Sequence, residues 1–449
     1  MAAVFSLEHL IASLHRLPKT TRYWVAYSGG RDSHVLLHAL ARLRSRLGVI
    51  DVRAVHVNHA LHADAGSWQR HCAVICQDLE IHLEHLTVDA RPRRGESPEA
   101  AARRARYDGL RPLIGCHELL LTAHHQDDQA ETLLLQLFRG AGPRGLSAMP
   151  LLAHFGAGWL ARPLLAVPGG AMQAYAEEFK LAWVSDPSNA DPRYDRNFIR
   201  HAILPQLRQR WPSITHALGR AANHQAETAE LLHIQGQADL DVLRAPEANA
   251  LSRARLGMLT PLRQRNVLRT WLRSLGLPVP GEAQLERVLC NVVDSGEEAS
   301  PRVCWPGAEV RRYRDCIYAM LPLLNHDPDC VMDWDVVSPL VLPHGRLEAV
   351  PVNGVGLNAR LCRAGDVRVG FRGGGERCRP AGAPTHRPLK KLFQERGIPP
   401  WQRDRVPLVY VSGRLAAIGG LWICHPFGAG PRDPGWVLHW EELPSVLRI

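Results

Sequence analysis

The sequence predicts an α/β protein whose N-terminal half is a doubly wound parallel sheet, followed by a mainly helical segment and a small β-rich one. Three observations carry this. From residue 20 to about 135, β-prone runs alternate with helical periodicity. Glu118 to His124 is a continuous apolar run of the kind that a parallel sheet buries on both faces. Beyond about residue 346 the pattern turns β-rich. At 449 residues the chain has length for two to four domains. The expected divisions are 1–212, 213–325, a proline-dotted linker at 326–345, and 346–449.

Each element has its own signal. Tyr23 to Tyr27 is a first strand, and two glycines lead from it into the periodic run His34 to Leu40, a helix that Asp32 and Ser33 are placed to cap. Asp51 to Asn58 reads as a second strand, Gly66 to Leu79 as a helix, Ile81 to Val88 as a third strand and Pro98 to Leu113 as a helix. The apolar run follows, and then a helix continues through Leu133 to Phe138. In such a sheet ligands lie beyond the carboxyl ends of the strands, where Ser28, Asn58 and His124 fall.

Composition narrows the class. Apolar residues at 46% and charged residues at 22% describe an ordinary globular chain. The first ten residues lack an export signal and no run of about 18 apolar residues occurs, so the expected location is the cytoplasm, with no membrane span. Ten cysteines without a Cys-x-x-Cys read as free thiols in a reducing compartment rather than as metal ligands. A net charge of +10 points to a polyanionic partner. Only four of the 54 basic residues are lysines, and arginine suits phosphate and stacked bases; a GC-rich genome raises arginine as well.

Two clusters carry chemistry. In Ser28-Gly29-Gly30-Arg31-Asp32-Ser33 the glycines let backbone approach a ligand, Ser28 and Ser33 offer hydroxyls, and the first helical turn presents N–H groups, an arrangement that fits a phosphate. It lacks the Gly-Lys-Ser/Thr of a Walker loop and resembles the pyrophosphate loop of the ATP pyrophosphatases. The second cluster, Thr122 to Thr132, sets His124 and His125 before Asp127, Asp128 and Glu131. Carboxylates three and four apart repel by a few tenths of a kcal/mol per pair, roughly, so a cation, Mg²⁺ or an ammonium group, explains them better than stability does. Arg139 to Met149 is a glycine-rich loop with two arginines that would lie over the site. Asn197 and Arg200 share a helical face and would reach a phosphate or a ribose.

Taken together, these strings with His56 to Leu61, Glu99 to Tyr107, Arg162-Pro163-Leu164 and Asp195 to Arg200 make the first 220 residues resemble the tRNA(Ile)-lysidine synthases, on an adenine-nucleotide alpha-hydrolase-like fold. That resemblance implies ATP as a substrate, Mg²⁺, free L-lysine, and a tRNA(Ile) with a CAU anticodon. The wobble cytidine would be adenylated with loss of pyrophosphate, and lysine would then expel AMP. The resemblance places ATP on Ser28, Gly29, Gly30, Arg31, Asp32, Ser33, His56 and Asn58, with Asp32 also a metal ligand, and lysine on Asp127, Asp128 and Glu131. His124, His125 or a neighbouring aspartate would take the amine proton. Arg103, Arg106, Asn197 and Arg200 are candidates for phosphate or tRNA contact. A tRNA-thiolating enzyme of the same superfamily is the alternative, and a homodimer is compatible with the sequence.

From 213 to 325 the chain reads as helices (Ile214 to Leu243, Pro261 to Leu275, Glu282 to Val293) ending in a β-like tail, Glu309 to Tyr318, and resembles the family's tRNA-contacting middle domain. Between Arg360 and Arg405 twelve Arg or Lys face four Asp or Glu, a net charge of +8. Leu389 to Trp401, with Lys390 and Lys391, resembles the family's last domain, which meets the acceptor end of the tRNA. Leu408 to Val411 and Leu415 to Ile423 look like paired strands.

Overall fold

After the short helix α1 (Leu7–Leu14), strand β1 (Arg22–Ala26) splits its side chains between two cores: Tyr23 and Val25 enter one and Trp24 the other. The computed structural model describes residues 5–48, 50–59, 64–93, 95–187, 191–246, 249–294, 296 and 301–442. Ala60 and Leu61, which end the string His56 to Leu61, lie outside the described residues.

Then follow α2 (Arg31–Arg42), β2 (Asp51–Asn58), α3 (Ala65–Asp78), β3 (His82–Thr87), α4 (Pro98–Leu110) and β4 (Glu118–Leu121). The next elements are α5 (Gln126–Phe138), α6 (Pro143–Leu146), β5 (Leu152–Phe155), β6 (Gly158–Ala161) and α7 (Gly169–Glu178). The sheet order is β3-β2-β1-β4-β6-β5, parallel except for the edge strand β5. β1 pairs with β2 on one side and β4 on the other, so the winding reverses there and opens a crevice at their carboxyl ends. The apolar run is strand only to Leu121; Thr122 still bonds Ala161 O at 3.0 Å, and the next residues leave the sheet to enter α5.

Helices cover both faces. Leu36, Leu37 and Leu40 of α2 are fully buried with Met172 and Ala176 of α7, each leucine contributing roughly 1.5–3 kcal/mol. Leu110 of α4 packs with Trp24 and Leu120 on the opposite face. Further on, α8 (Asp195–Phe198) and α9 (Leu204–Arg210) are joined by a π-helical turn, Ile199–Ile203, in which Leu204 N bonds Ile199 O. Pro205 has no N–H to give His201, which removes one bond of a regular ladder there. The long α10 (Ile214–Leu243) crosses the division between two compact units, Met1–Leu231 and Leu232–Ile449.

In the second unit, β7 (Ala250–Ser252), α11 (Arg253–Gly257), α12 (Pro261–Ser274) and α13 (Glu282–Arg287) precede β8 (Arg302–Trp305), β9 (Ala308–Tyr313) and β10 (Cys316–Met320). The expected β-like tail is a hairpin within a four-stranded antiparallel sheet, β7-β10-β9-β8, sharing its core with Leu268 and Leu272 of α12.

The rest is β-rich: β11 (Met332–Asp333), β12 (Leu340–Leu342), β13 (Gly345–Asn353), β14 (Leu357–Asn358), α14 (Ala359–Ala364), β15 (Val367–Gly370), β16 (Arg377–Cys378) and β17 (Arg387–Pro388). It ends with α15 (Leu389–Glu395), α16 (Pro400–Arg403), β18 (Leu408–Val411), β19 (Arg414–Ile418), β20 (Trp422–Ile423) and β21 (Pro434–Glu442). The expected pairing of β18 with β19 is present and antiparallel. β11 and β12 fall inside the stretch read as linker, and each pairs into a sheet of this region. Among the described residues no helix is long and apolar enough to cross a membrane.

Candidate functional site

The glycine loop leaves β1 through a turn that glycine adopts readily. Gly29 has φ +82°, a conformation side chains disfavour, and its carbonyl accepts from Val184 N at 3.0 Å. Ser33 Oγ donates to Gly30 O at 2.9 Å and accepts from Ser28 N at 3.2 Å, while Ser28 Oγ lies 3.0 Å from Ser33 Oγ and accepts from Gly30 N at 3.3 Å. The hydroxyls expected to donate to a ligand hold the loop's own curve here. The helix cap differs as well: Gly30 occupies the cap position of α2 and makes no side-chain bond, whereas Asp32 and Ser33 lie inside the first turn. An uncapped N-terminus favours an anion.

Across the crevice, α5 begins with His125 as its cap. His125 Nδ1 accepts from Asp127 N at 3.2 Å, and His125 N donates to Asp128 Oδ2 at 3.0 Å, closing a reciprocal box. His125 Nε2 then stands 3.5 Å from Asp32 Oδ2 and 3.6 Å from Asp128 Oδ2, linking the two sides. Burial works against a charge on His125, but its bond to Asp32 and the charges of Asp128, Asp32 and Asp127 outweigh it and raise its pKa. Burial likewise pushes Asp32 up, yet His125 and Arg31, whose Nε donates to Asp32 Oδ1 at 2.8 Å, hold it below the ordinary value. His124 Nδ1 lies 2.8 Å from Thr122 Oγ1, and burial drives its pKa down to about 3.

The acidic cluster is not open. Glu131, 1% exposed, accepts from Arg196 Nε at 2.8 Å and from Arg200 Nε at 2.6 Å and Nη2 at 2.9 Å. Asp128 Oδ1 accepts from Arg196 at 2.9 Å and Arg200 at 3.1 Å. Burial alone would raise Asp128, but His125 and Arg196 bring it to about 2. Arg200, expected at a phosphate, is thus held by two carboxylates, because spacing of four on its helix matches spacing of three on α5. Asn197 is buried and donates to Asp191 O at 2.9 Å, so it does not share an open phosphate-facing surface with Arg200. Asp127 pairs with Arg208 at 3.0 Å.

Other expected residues take several positions. His56 is buried beneath the loop with Nδ1 3.0 Å from Tyr27 O, a support of the loop rather than an open contact, and Asn58 ends β2. Exposed Arg103 lies over Tyr107 at 5.0 Å, and Arg106 donates to His59 Nε2 at 3.3 Å. In the second unit Lys390 and Lys391 stand exposed on α15, whose Leu389, Leu392 and Phe393 are buried. The glycine-rich loop is tied down: Gln129 donates to Met149 O at 2.8 Å and accepts from Met149 N at 2.9 Å.

Three contributors escaped the sequence reading. Arg196 and Arg208 neutralise the cluster, and a second arginine at i,i−4 from Arg200 was the available signal for the first. Gly169 starts α7 so close to the cluster that a Cβ there would lie 2.5 Å from Asp127 Oδ2 and 3.1 Å from His125 Cε1. Among the described residues no group of three or more His, Cys, Asp or Glu is placed to hold a metal ion by itself.

Three family models match the chain. Residues 4–207 match the PP-loop domain, 251–318 the TilS substrate binding domain and 367–440 the TilS substrate C-terminal domain. The chain is 44% identical over 438 residues to the tRNA(Ile)-lysidine synthase of Methylococcus capsulatus, covering 97% of this chain and 99% of that protein. It is 41% identical over 440 residues to that of Coxiella burnetii, covering 97% of each chain. It is also 44% identical over 442 residues to that of Alkalilimnicola ehrlichii, again covering 97% of each. The chain belongs to the tRNA(Ile)-lysidine synthase family.

Proposed function

We propose that the crevice between β1 and β4 adenylates the wobble cytidine of a tRNA(Ile) bearing a CAU anticodon and then joins lysine to the same carbon. Lysidine formation on tRNA(Ile), a ligase reaction, is the activity of the family and of this chain. The observation that carries the assignment is near-full-length identity to the synthases together with the loop and acidic helix linked across one crevice by His125 and Asp32.

The 2-oxo oxygen of the base attacks the α-phosphorus of ATP and pyrophosphate leaves; the lysine side-chain amine then attacks C2, and AMP departs with that oxygen. The loop Ser28 to Ser33 and the uncapped start of α2 hold the leaving pyrophosphate. Mg²⁺ suits Asp32, which would supply one carboxylate while phosphates and water supply the remaining ligands, and the ion would offset charge on the leaving group.

Lysine brings an ammonium and a carboxylate, and the Asp128–Glu131–Arg196–Arg200 lattice offers both signs at zero net charge. Opening this lattice would exchange internal pairs for pairs with the amino acid. The attacking amine, of pKa about 10.4, must lose a proton. Burial weakens His124 as a base whereas the pKa of His125 is raised, so we assign the proton to His125 or to the neighbouring Asp127.

On this reading residues 1–212 do the chemistry, whereas 213–325 and 346–449, joined by 326–345, meet the tRNA; Arg103, Arg106, Lys390 and Lys391 contact its phosphates. We place the protein in the cytoplasm, where its substrates occur together. Thiolation is disfavoured because a sulfur carrier needs an accessible, low-pKa cysteine. Cys72 and Cys76 are buried and pushed up to about 12, and Cys116 lies at the opposite end of β4. The test is pyrophosphate exchange into ATP with lysine withheld. Exchange that requires the tRNA is expected, and its absence would contradict the adenylation step.

A further inference from the structure

We propose that Cys72 and His56 are positioning residues for the pyrophosphate loop, a wall behind Gly29 that fixes the curve on which ATP is held. This rests on reading the loop as the ATP site.

Cys72 lies on α3 and is fully buried. A Cβ built on Gly29 would meet Cys72 Sγ at 3.0 Å, Val184 Cγ2 at 3.8 Å and His71 Cδ2 at 3.9 Å. Gly29 is therefore gripped from behind by the thiol and from the side by Val184, whose N–H donates to the Gly29 carbonyl at 3.0 Å. The same sulfur stands 3.4 Å from His56 Nδ1, which is 3.0 Å from Tyr27 O. A carbonyl only accepts, so Nδ1 carries the proton and donates to Tyr27 O, with the sulfur sharing that N–H. Tyr27 N in turn donates to Val55 O at 2.8 Å, the last rung before the loop departs.

One thiol and one imidazole thus set two consecutive bends, at Tyr27 and at Gly29, without facing the crevice. Both act in neutral form: burial lowers the His56 pKa, and pushes the Cys72 thiol up to about 12. Thiolate chemistry is excluded, and shape is what remains. A branched side chain at 72 has no room beside the Gly29 backbone, whereas a serine fits. At 56, asparagine keeps a donor near the Nδ1 position and leucine keeps bulk without one.

The test compares full-length wild-type protein with Cys72→Val, Cys72→Ser, His56→Leu and His56→Asn, each checked for folding by circular dichroism and thermal melting. The KM for ATP is read in tRNA-dependent pyrophosphate exchange, and the KM for lysine in product formation. Cys72→Val and His56→Leu should raise the ATP KM about tenfold or more while the lysine KM stays within about twofold. Cys72→Ser and His56→Asn should recover most of the loss. A folded Cys72→Val protein with an unmoved ATP KM overturns the proposal. If that variant does not fold, equal ATP KM values for His56→Leu and His56→Asn overturn it instead. A wild-type protein without exchange would overturn the ATP reading and this proposal with it.

Discussion

Glu131 is the most deeply buried carboxylate of the site, and it holds two arginines. Removing one member of a buried pair leaves its partner's charge uncompensated, a cost of about 3–5 kcal/mol. Glu131→Gln should therefore lower stability by that order in urea unfolding; a change below about 1 kcal/mol would mean the lattice bears little of the fold's stability. Gly169→Ala addresses the other side, since its Cβ would push on Asp127 and His125. The rate with lysine should fall about tenfold or more, with pyrophosphate exchange reduced far less. Equal loss in both steps would detach Asp127 from the lysine step. The carboxylates and histidines were legible as residues because they follow one strand end directly. Their partners were not: Arg196 and Arg200 lie 65 and 69 residues downstream of Glu131, Arg208 lies farther still, and only the fold brings them back.

Among elements, the strands and helices around β1 could be read within about three residues, since alternation and helical periodicity both report burial directly. The four-stranded sheet of the second unit was largely missed: β7 is a three-residue run whose partner β10 is distant in sequence, and β8 is a four-residue run that pairs with the adjacent β9. The helix α2, the strand β2 and the strand ends beside them also carry histidines that burial keeps neutral. Burial lowers His34 and His56, brings His38 and His59 to about 4, and brings His124 to about 3. Below the unfolded value of about 6.5, the unfolded chain gains protons that the native chain refuses. Stability must fall as pH drops from 7 towards 4, by on the order of 1–2 kcal/mol for each of His38, His59 and His124 at pH 5. His125 acts in the opposite direction because its pKa is raised. Thermal melting should show a lower midpoint at pH 5 than at pH 7, and a level or rising midpoint would contradict the buried, neutral state of these rings.

For the whole molecule, a net charge of +10 carried almost wholly by arginine meets a polyanionic substrate. Binding to tRNA should weaken steeply with salt, and replacing Lys390 and Lys391 by alanine should reduce the logarithmic salt slope by about 1–2. An unchanged slope would remove α15 from the interface. Lysidine synthesis is distinguished from every alternative by where lysine ends up. The decisive measurement incubates the protein with ATP, Mg²⁺, labelled lysine and unmodified tRNA(Ile) carrying the CAU anticodon, then treats the RNA with alkali. Label that survives sits on the base, the result expected of lysidine synthesis. Label lost to alkali, or none incorporated while exchange proceeds, would contradict it.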